Sequence, residues 1–151
     1  MLTNQAYEIA LILREAQSFG IAVREGEGAT GFDIGYGIYV STGDNTRITL
    51  FSDADKNELY DVSDPIVREF VLNRGSTISE FCVSTGGTET CSGAGVNNMS
   101  VAFVRPDPDA KIHANGSAAT GYQSASIEII SPDGDTKRVV AFSTGQIAVE
   151  E

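Results

Sequence analysis

The sequence contains no tryptophan, one histidine (His113) and two cysteines (Cys82 and Cys91). Without tryptophan, the large aromatic side chain expected to line a sugar-cleaving cleft is missing. One histidine and two cysteines cannot complete a four-ligand zinc site, and the cysteines do not form a C-x-x-C pattern. The G-x-S-x-G, H-E-x-x-H, Walker and helix-opening G-x-G-x-x-G motifs are absent as well. The sequence therefore predicts a protein that is not an enzyme.

Long hydrophobic runs and basic charge are also scarce. No stretch reaches the roughly 18 apolar residues that span a bilayer, and no signal peptide is recognisable. Ten Lys and Arg residues face 21 Asp and Glu residues, which leaves a formal net charge of −11. Phosphate-rich surfaces attract basic faces, so neither nucleic acid nor an anionic membrane surface is a predicted partner. The length of 151 residues and the 41% hydrophobic content predict one globular domain, residues 1–151.

The two cysteines flank a polar, glycine-bearing stretch, VSTGGTET at 83–90. A disulfide between Cys82 and Cys91 would close a short hairpin loop and stabilise it by roughly 2–3 kcal/mol in the chain-entropy model. Two free thiols are the alternative. We predict the disulfide, and a disulfide implies an oxidising, extracytoplasmic setting.

The first twenty residues have the spacing of an amphipathic helix. Its apolar stripe recurs every three or four residues and consists of Ile9, Ile12, Leu13, Ala16 and Phe19. The spacing predicts a helix over about 3–20, with Gly20 as its terminating C′ residue. Strand-and-turn sequence follows over 21–151. The predicted fold class is therefore α+β, with one N-terminal amphipathic helix packed on antiparallel β-sheet.

Alternation of apolar and polar residues, bounded by turn residues, locates the strands. The predicted strands are 21–25, 32–40, 47–51, 67–72, 77–83, 99–104, 125–130, 137–143 and an edge strand at 146–150. A short helix is the alternative for 67–72. Residues 84–98 are predicted to be irregular, and 109–117 to be a loop that carries His113. His113 could act as a general base beside Asp107 or Asp109. A lone loop histidine is usually a solvated side chain, so no catalytic residue is predicted.

An acidic segment between two predicted strands resembles a calcium-binding loop. Side-chain oxygens at positions 1, 3, 5, 9 and 12, and a backbone carbonyl at position 7, match the ligand pattern of such loops. The predicted Ca²⁺ ligands are Asp53, Asp55, Asn57, the Leu59 carbonyl, Asp61 and Asp64. Two features depart from the pattern: Glu58 stands where glycine is usual, and Asp64 replaces a glutamate. The alternative is an acidic turn whose aspartates accept backbone amides.

Three stretches resemble type IV pilin-like proteins, and most closely the minor pseudopilin (GspH/FimT-like) branch. They are AYEIALILREAQSFG at 6–20, GYGIYV at 35–40 with RITLFSDAD at 47–55, and STGQIAV at 143–149. In that family the first half of a long N-terminal helix is membrane-embedded and forms the filament core, and the second half packs on an antiparallel sheet. Residues 3–20 resemble the second half. The prepilin peptidase site and the apolar first half are not in this sequence.

The resemblance implies a structural subunit of an extracellular type IV pilus or of a type II secretion-like pseudopilus. Its implied partners are other pilin-like subunits, contacted through the N-terminal helix, and its implied location is the cell surface or the periplasm. Membrane contact would come only through a segment preceding the helix. An extracellular, calcium-dependent binding or adhesion module of β-rich fold is the alternative. Some FimT-like proteins are associated with DNA uptake, but the basic residues here are scattered along the chain, so DNA is not a predicted partner.

Overall fold

The computed structural model describes residues 2–21, 35–53, 57–85, 87–104, 109–115 and 122–150. Within those residues it has one N-terminal helix, α1 (Leu2–Ile21), and two antiparallel β-sheets, so the chain is of the α+β class. The strands are β1 (Gly35–Ser41), β2 (Asp44–Asp53), β3 (Ile66–Val71), β4 (Thr77–Thr85), β5 (Thr88–Cys91), β6 (Asn98–Phe103), β7 (Lys111–Ala114), β8 (Ser124–Ile130), β9 (Thr136–Phe142) and β10 (Ile147–Glu150).

Over the described residues, the two sheets have five strands each. Sheet 1 has the order β3-β2-β1-β6-β7, and sheet 2 has the order β10-β9-β8-β4-β5. Helix α1 contacts β1 and β6 of sheet 1 and β9 and β10 of sheet 2. One hydrophobic cluster contains side chains from the helix and from both sheets. The helix therefore packs its apolar face into a core that it shares with the two sheets.

The buried face of α1 is the one that the spacing predicted. Ile9, Ile12, Leu13 and Ala16 are all buried, and burial of a large aliphatic side chain contributes about 1.5–3 kcal/mol. The expected terminator was wrong, because the helix continues through Gly20 to Ile21. A Cβ atom on Gly20 would lie 2.3 Å from the carbonyl oxygen of Phe103. Glycine at this position thus permits the close approach of the helix to β6.

Two predictions of irregular structure were wrong. The 84–98 stretch contains β5 and a short 3₁₀ turn at Ser92–Ala94, and the 109–117 loop contains β7. Both strands have four residues, which is too short for a period of two to stand out, and β5 is largely exposed and polar.

The other strand predictions are confirmed where the structure describes them. The largest shift in their bounds is in β2, which begins at Asp44 instead of residue 47. β10 is an edge strand of sheet 2, as expected. Ile21 is helical, and the rest of the predicted 21–25 strand lies outside the described residues, as do residues 32–34.

Candidate functional site

The described part of the acidic segment, residues 57–65, forms a loop that packs on sheet 1. It enters β3 at Ile66, and β2, which precedes the segment, ends at Asp53. Tyr60 anchors it, because its ring packs on Tyr39 with 4.9 Å between centroids and on Phe51 with 5.4 Å. Burial, with smaller contributions from nearby carboxylates, raises the pKa of Tyr60 above its ordinary value. The loop is thus held to the centre of the sheet by aromatic packing.

Its first and last acidic residues are buried and accept backbone amides. Asp53 Oδ1 accepts the N–H of Asn57 at 3.2 Å, and Asp53 Oδ2 accepts the N–H of Glu58 at 2.7 Å. Asp64 Oδ2 accepts the N–H of Asp61 at 3.1 Å. Buried carboxylates need such donors, since an unsatisfied buried charge is costly.

In the middle of the loop, side-chain oxygens also accept backbone amides, here from residues only two positions further along the chain. Asn57 Oδ1 accepts the N–H of Leu59 at 2.9 Å, and Asp61 Oδ1 accepts the N–H of Ser63 at 2.8 Å as well as the Ser63 hydroxyl. These are the contacts of the acidic-turn alternative. They do not exclude a cation, because each carboxylate has about four lone-pair sites.

Glu58, the residue at the glycine position of the calcium-loop pattern, adopts a left-handed backbone with φ of 66°. The turn that the pattern assigns to glycine is therefore present despite the glutamate. Its carboxylate Oε1 lies 3.0 Å from Nε2 of His113 on β7. This contact ties the loop to the edge of sheet 1 as well as to its centre.

The six predicted calcium ligands are only partly brought together. Asp55 lies outside the described residues. Among the described His, Cys, Asp and Glu residues, Asp53, Asp61 and Asp64 do not bring three donor atoms within 4.8 Å of one another. Ligands of one Ca²⁺, each about 2.4 Å from the ion, lie within roughly that distance of one another. These three carboxylates would have to move closer to bind one ion directly, and calcium binding stays a prediction.

Sequence reasoning placed His113 in a loop near Asp107 or Asp109, but it lies in β7 and its side chain is 9% exposed. Asp107 lies outside the described residues. The His113–Glu58 contact forms one wall of a cavity of about 490 Å³. The cavity is also lined by Asp109, Lys111, Tyr122, Gln123, Ser143 and Thr144. His113 and Glu58 are 55 residues apart in sequence, so no local motif predicts their contact.

The outward face of α1 carries two large apolar side chains, Tyr7 at 59% and Leu11 at 57% exposure. One turn further along, Glu15 forms an ion pair with Arg68 of β3, with 2.9 Å between Oε1 and Nη1. Ion pairs at this exposure contribute little to stability, so this one is a minor contact between α1 and β3. The outward face of α1 thus exposes two large apolar side chains to water.

The predicted disulfide is confirmed. Cys82 on β4 and Cys91 on β5 lie directly opposite each other and are bonded. No helix among the described residues is long and apolar enough to cross a membrane. Comparison with protein-family models, with curated proteins and with solved structures finds no match to this chain.

Proposed function

We propose that this chain is the globular domain of a type IV pilin-like structural subunit of the minor pseudopilin (GspH/FimT-like) type. Its setting would be an extracellular pilus or a type II secretion-like pseudopilus. The observation that carries the proposal is the architecture of α1. One face of this N-terminal helix is buried against antiparallel sheet, and the opposite face presents Tyr7 and Leu11 to solvent.

This arrangement suits a helix that packs on neighbouring subunits. Association is favoured when another helix covers exposed apolar side chains, by about 0.025 kcal/mol for each Å² of apolar surface removed from water. Tyr7 and Leu11 are spaced i and i+4, so they form one ridge of the kind that fits a groove on another helix. The partners we propose are therefore other pilin-like subunits.

The side chains beneath this ridge hold α1 firmly to the domain. Gln5 Oε1 accepts the N–H of Asn73, and Gln5 Nε2 donates to the Ser76 hydroxyl. Near the other end, Gln17 donates to the carbonyl of Gly145, which precedes β10. A helix fixed at both ends can transmit force from a filament core to the sheets.

The disulfide agrees with a location at the cell surface or in the periplasm, because such bonds persist in oxidising compartments. We further propose that Ca²⁺ binds the Asp53–Asp64 loop and has a structural role. Its charge would offset the crowded carboxylates, and extracellular calcium suffices to fill a weak site. A calcium-binding loop would suit an adhesion module equally well. An experiment on the outward face of α1 therefore distinguishes the two functions.

Photo-crosslinking in the cells that make the protein tests the proposed function. A photoreactive residue is placed at Leu11, and a matched one is placed at Val62, which is 98% exposed on the acidic loop. We expect crosslinks from position 11 to pilin-like subunits, identified by mass spectrometry, and far fewer from position 62. Crosslinks from position 62 alone, or none from position 11, would contradict a helix-mediated assembly role.

A further inference from the structure

The cavity beside the Glu58–His113 contact lies where the two sheets meet. Its lining includes β7, which is an edge strand of sheet 1, and the turn between β9 and β10 of sheet 2. The acidic loop and the residues before β7 and β8 complete it, and we name it the junction cavity. Its polar side chains include Glu58, Asp109, Lys111, Gln123, Ser143 and Thr144.

Backbone hydrogen bonds join the segments that line the junction cavity. The N–H of Ala110 donates to the carbonyl of Ser143 at 2.9 Å, and the N–H of Ser143 donates to the carbonyl of Gln123 at 2.8 Å. The N–H of Gly145 donates to the carbonyl of Phe142 at 2.8 Å and closes the turn between β9 and β10. The lining is thus positioned before a ligand arrives, which lowers the entropic cost of binding.

The junction cavity has the size and the access of a small-molecule site. Its volume is about 490 Å³, and such sites typically measure about 300–1,000 Å³. Asp109, Gln123 and Thr144 are exposed, so the cavity opens to solvent. His113 is buried in its wall. The space therefore suits a small ligand that enters from solvent.

The lining favours a ligand that is polar and uncharged. Among its described residues the aliphatic ones are Ala110 and Ile112, so an apolar ligand would leave many polar groups without a hydrogen bond. Glu58 already contacts His113. Asp109 and Lys111 carry opposite charges, so neither an anion nor a cation is attracted by an excess of charge.

We propose that the junction cavity binds a neutral sugar ring. Each sugar hydroxyl both donates and accepts hydrogen bonds, and the cavity offers both kinds of partner. The carboxylate of Asp109 accepts, the ammonium group of Lys111 donates, and the amide of Gln123 does both, as do the hydroxyls of the β9–β10 turn. The chain has no tryptophan, but Tyr122 lines the cavity, and the C–H face of a sugar packs on an aromatic ring.

Sugar binding would be a recognition function beyond the proposed assembly role. The junction cavity shares no lining residue with the outward face of α1, which carries Tyr7 and Leu11. The two proposals therefore stand or fall separately: crosslinking from α1 tests assembly, and ligand titration tests the cavity.

The test is a nuclear magnetic resonance titration of the intact, ¹⁵N-labelled chain. The probes are glucose, galactose, mannose and N-acetylglucosamine, each added up to tens of millimolar. We expect at least one sugar to shift the amide signals of residues 109–113, 122–123 and 143–144 in a saturable way. Glycerol, lysine and glutamate, which are a polyol without a ring and two charged molecules, should give no saturable shift. No saturable shift with any of the four sugars, shifts confined to other residues, or saturable binding of a charged probe would overturn the proposal.

Matched variants show whether the cavity residues carry the binding. Asp109→Ala should weaken binding of the sugar at least about tenfold, because it removes a charged hydrogen-bond acceptor. Gln123→Ala, which removes an uncharged partner, should weaken binding about threefold or more. Asp135→Ala, at an exposed aspartate of the β8–β9 turn outside the cavity, should leave the affinity within about twofold. All three replacements are at exposed positions, so we expect folded variants with dispersed spectra. Wild-type affinity in both cavity variants would refute the site.

Discussion

Replacement of Gly20 by alanine sets helix propensity against packing, and the two effects have opposite signs. Gly20 is the last residue but one of α1, where alanine is more favourable than glycine by at most about 1 kcal/mol, so local reasoning predicts a more stable protein. At this site the new Cβ would lie 2.3 Å from the carbonyl oxygen of Phe103, 2.8 Å from its carbonyl carbon and 2.9 Å from its Cβ. Ordinary carbon contacts are at about 3.5–4.0 Å. Because two of the three atoms are backbone, no side-chain rotation relieves the clash.

Helix α1 must therefore move away from β6 by roughly an ångström, which loosens its packing on sheet 1. Overpacking of this kind costs about 1–3 kcal/mol, and the rigid backbone partner places it near the upper end. After subtraction of the propensity gain, the net loss is about 1–2 kcal/mol. For a domain of this size, that corresponds to a fall in Tm of about 2–8 °C.

Urea denaturation followed by circular dichroism measures the difference directly. The matched control is Ser18→Ala, at an exposed helical position where propensity acts alone and a small gain in stability is expected. A Gly20→Ala variant as stable as the wild type, or more stable, would refute the argument that close approach to β6 selects glycine.

Three further outcomes follow from the structure. Millimolar Ca²⁺, but not Mg²⁺, should raise the Tm of metal-stripped protein by several degrees through preferential binding to the folded state, and Asp61→Asn should remove this shift; an unchanged Tm would leave the loop an acidic turn. Burial raises the pKa of Tyr60. Its contribution to the free energy of unfolding is therefore present below the pKa of the unfolded chain, about 10, and is lost as pH rises through the pKa of the folded protein. Tyr60→Phe should lose less stability in alkali than the wild type, as measured by urea denaturation across that pH range. Hydrogen bonds from the Thr46 hydroxyl and N–H lower the pKa of Asp44. Its contribution to the free energy of unfolding is therefore present above the pKa of the unfolded chain and is lost as pH falls through the pKa of the folded protein. Asp44→Asn should make stability depend less on pH in that acid range, and an unchanged pH dependence would count against this role of Asp44.

The features that could be predicted from sequence depend on regular spacing along the chain. The period of 3.6 identified α1 and its buried residues, and the period of two identified long strands such as β8 and β9. The disulfide followed from two cysteines separated by a turn-rich stretch. In each case the information lies within about twenty consecutive residues.

The features that could not be predicted are made between distant segments. The Glu58–His113 contact joins residues 55 positions apart, and β7, which carries the histidine, is too short to show a pattern. Gly20 was predicted to end the helix because glycine is common at helix ends. Its close approach to Phe103 of β6 could not be predicted from the helix sequence.

The acidic loop shows how far the geometry limits the role of calcium. Tyr60 holds the loop to the centre of sheet 1, and Glu58 holds it to His113 at the edge. Both contacts are between protein side chains, so we expect them to hold the loop on the sheet with or without the ion. Its effect would be to draw the carboxylates closer and offset their repulsion, which raises stability without changing the packing of Tyr60. Removal of calcium should therefore lower the Tm while the near-ultraviolet circular dichroism of the folded protein stays the same. A large change in that signal would mean that the aromatic contacts depend on the ion.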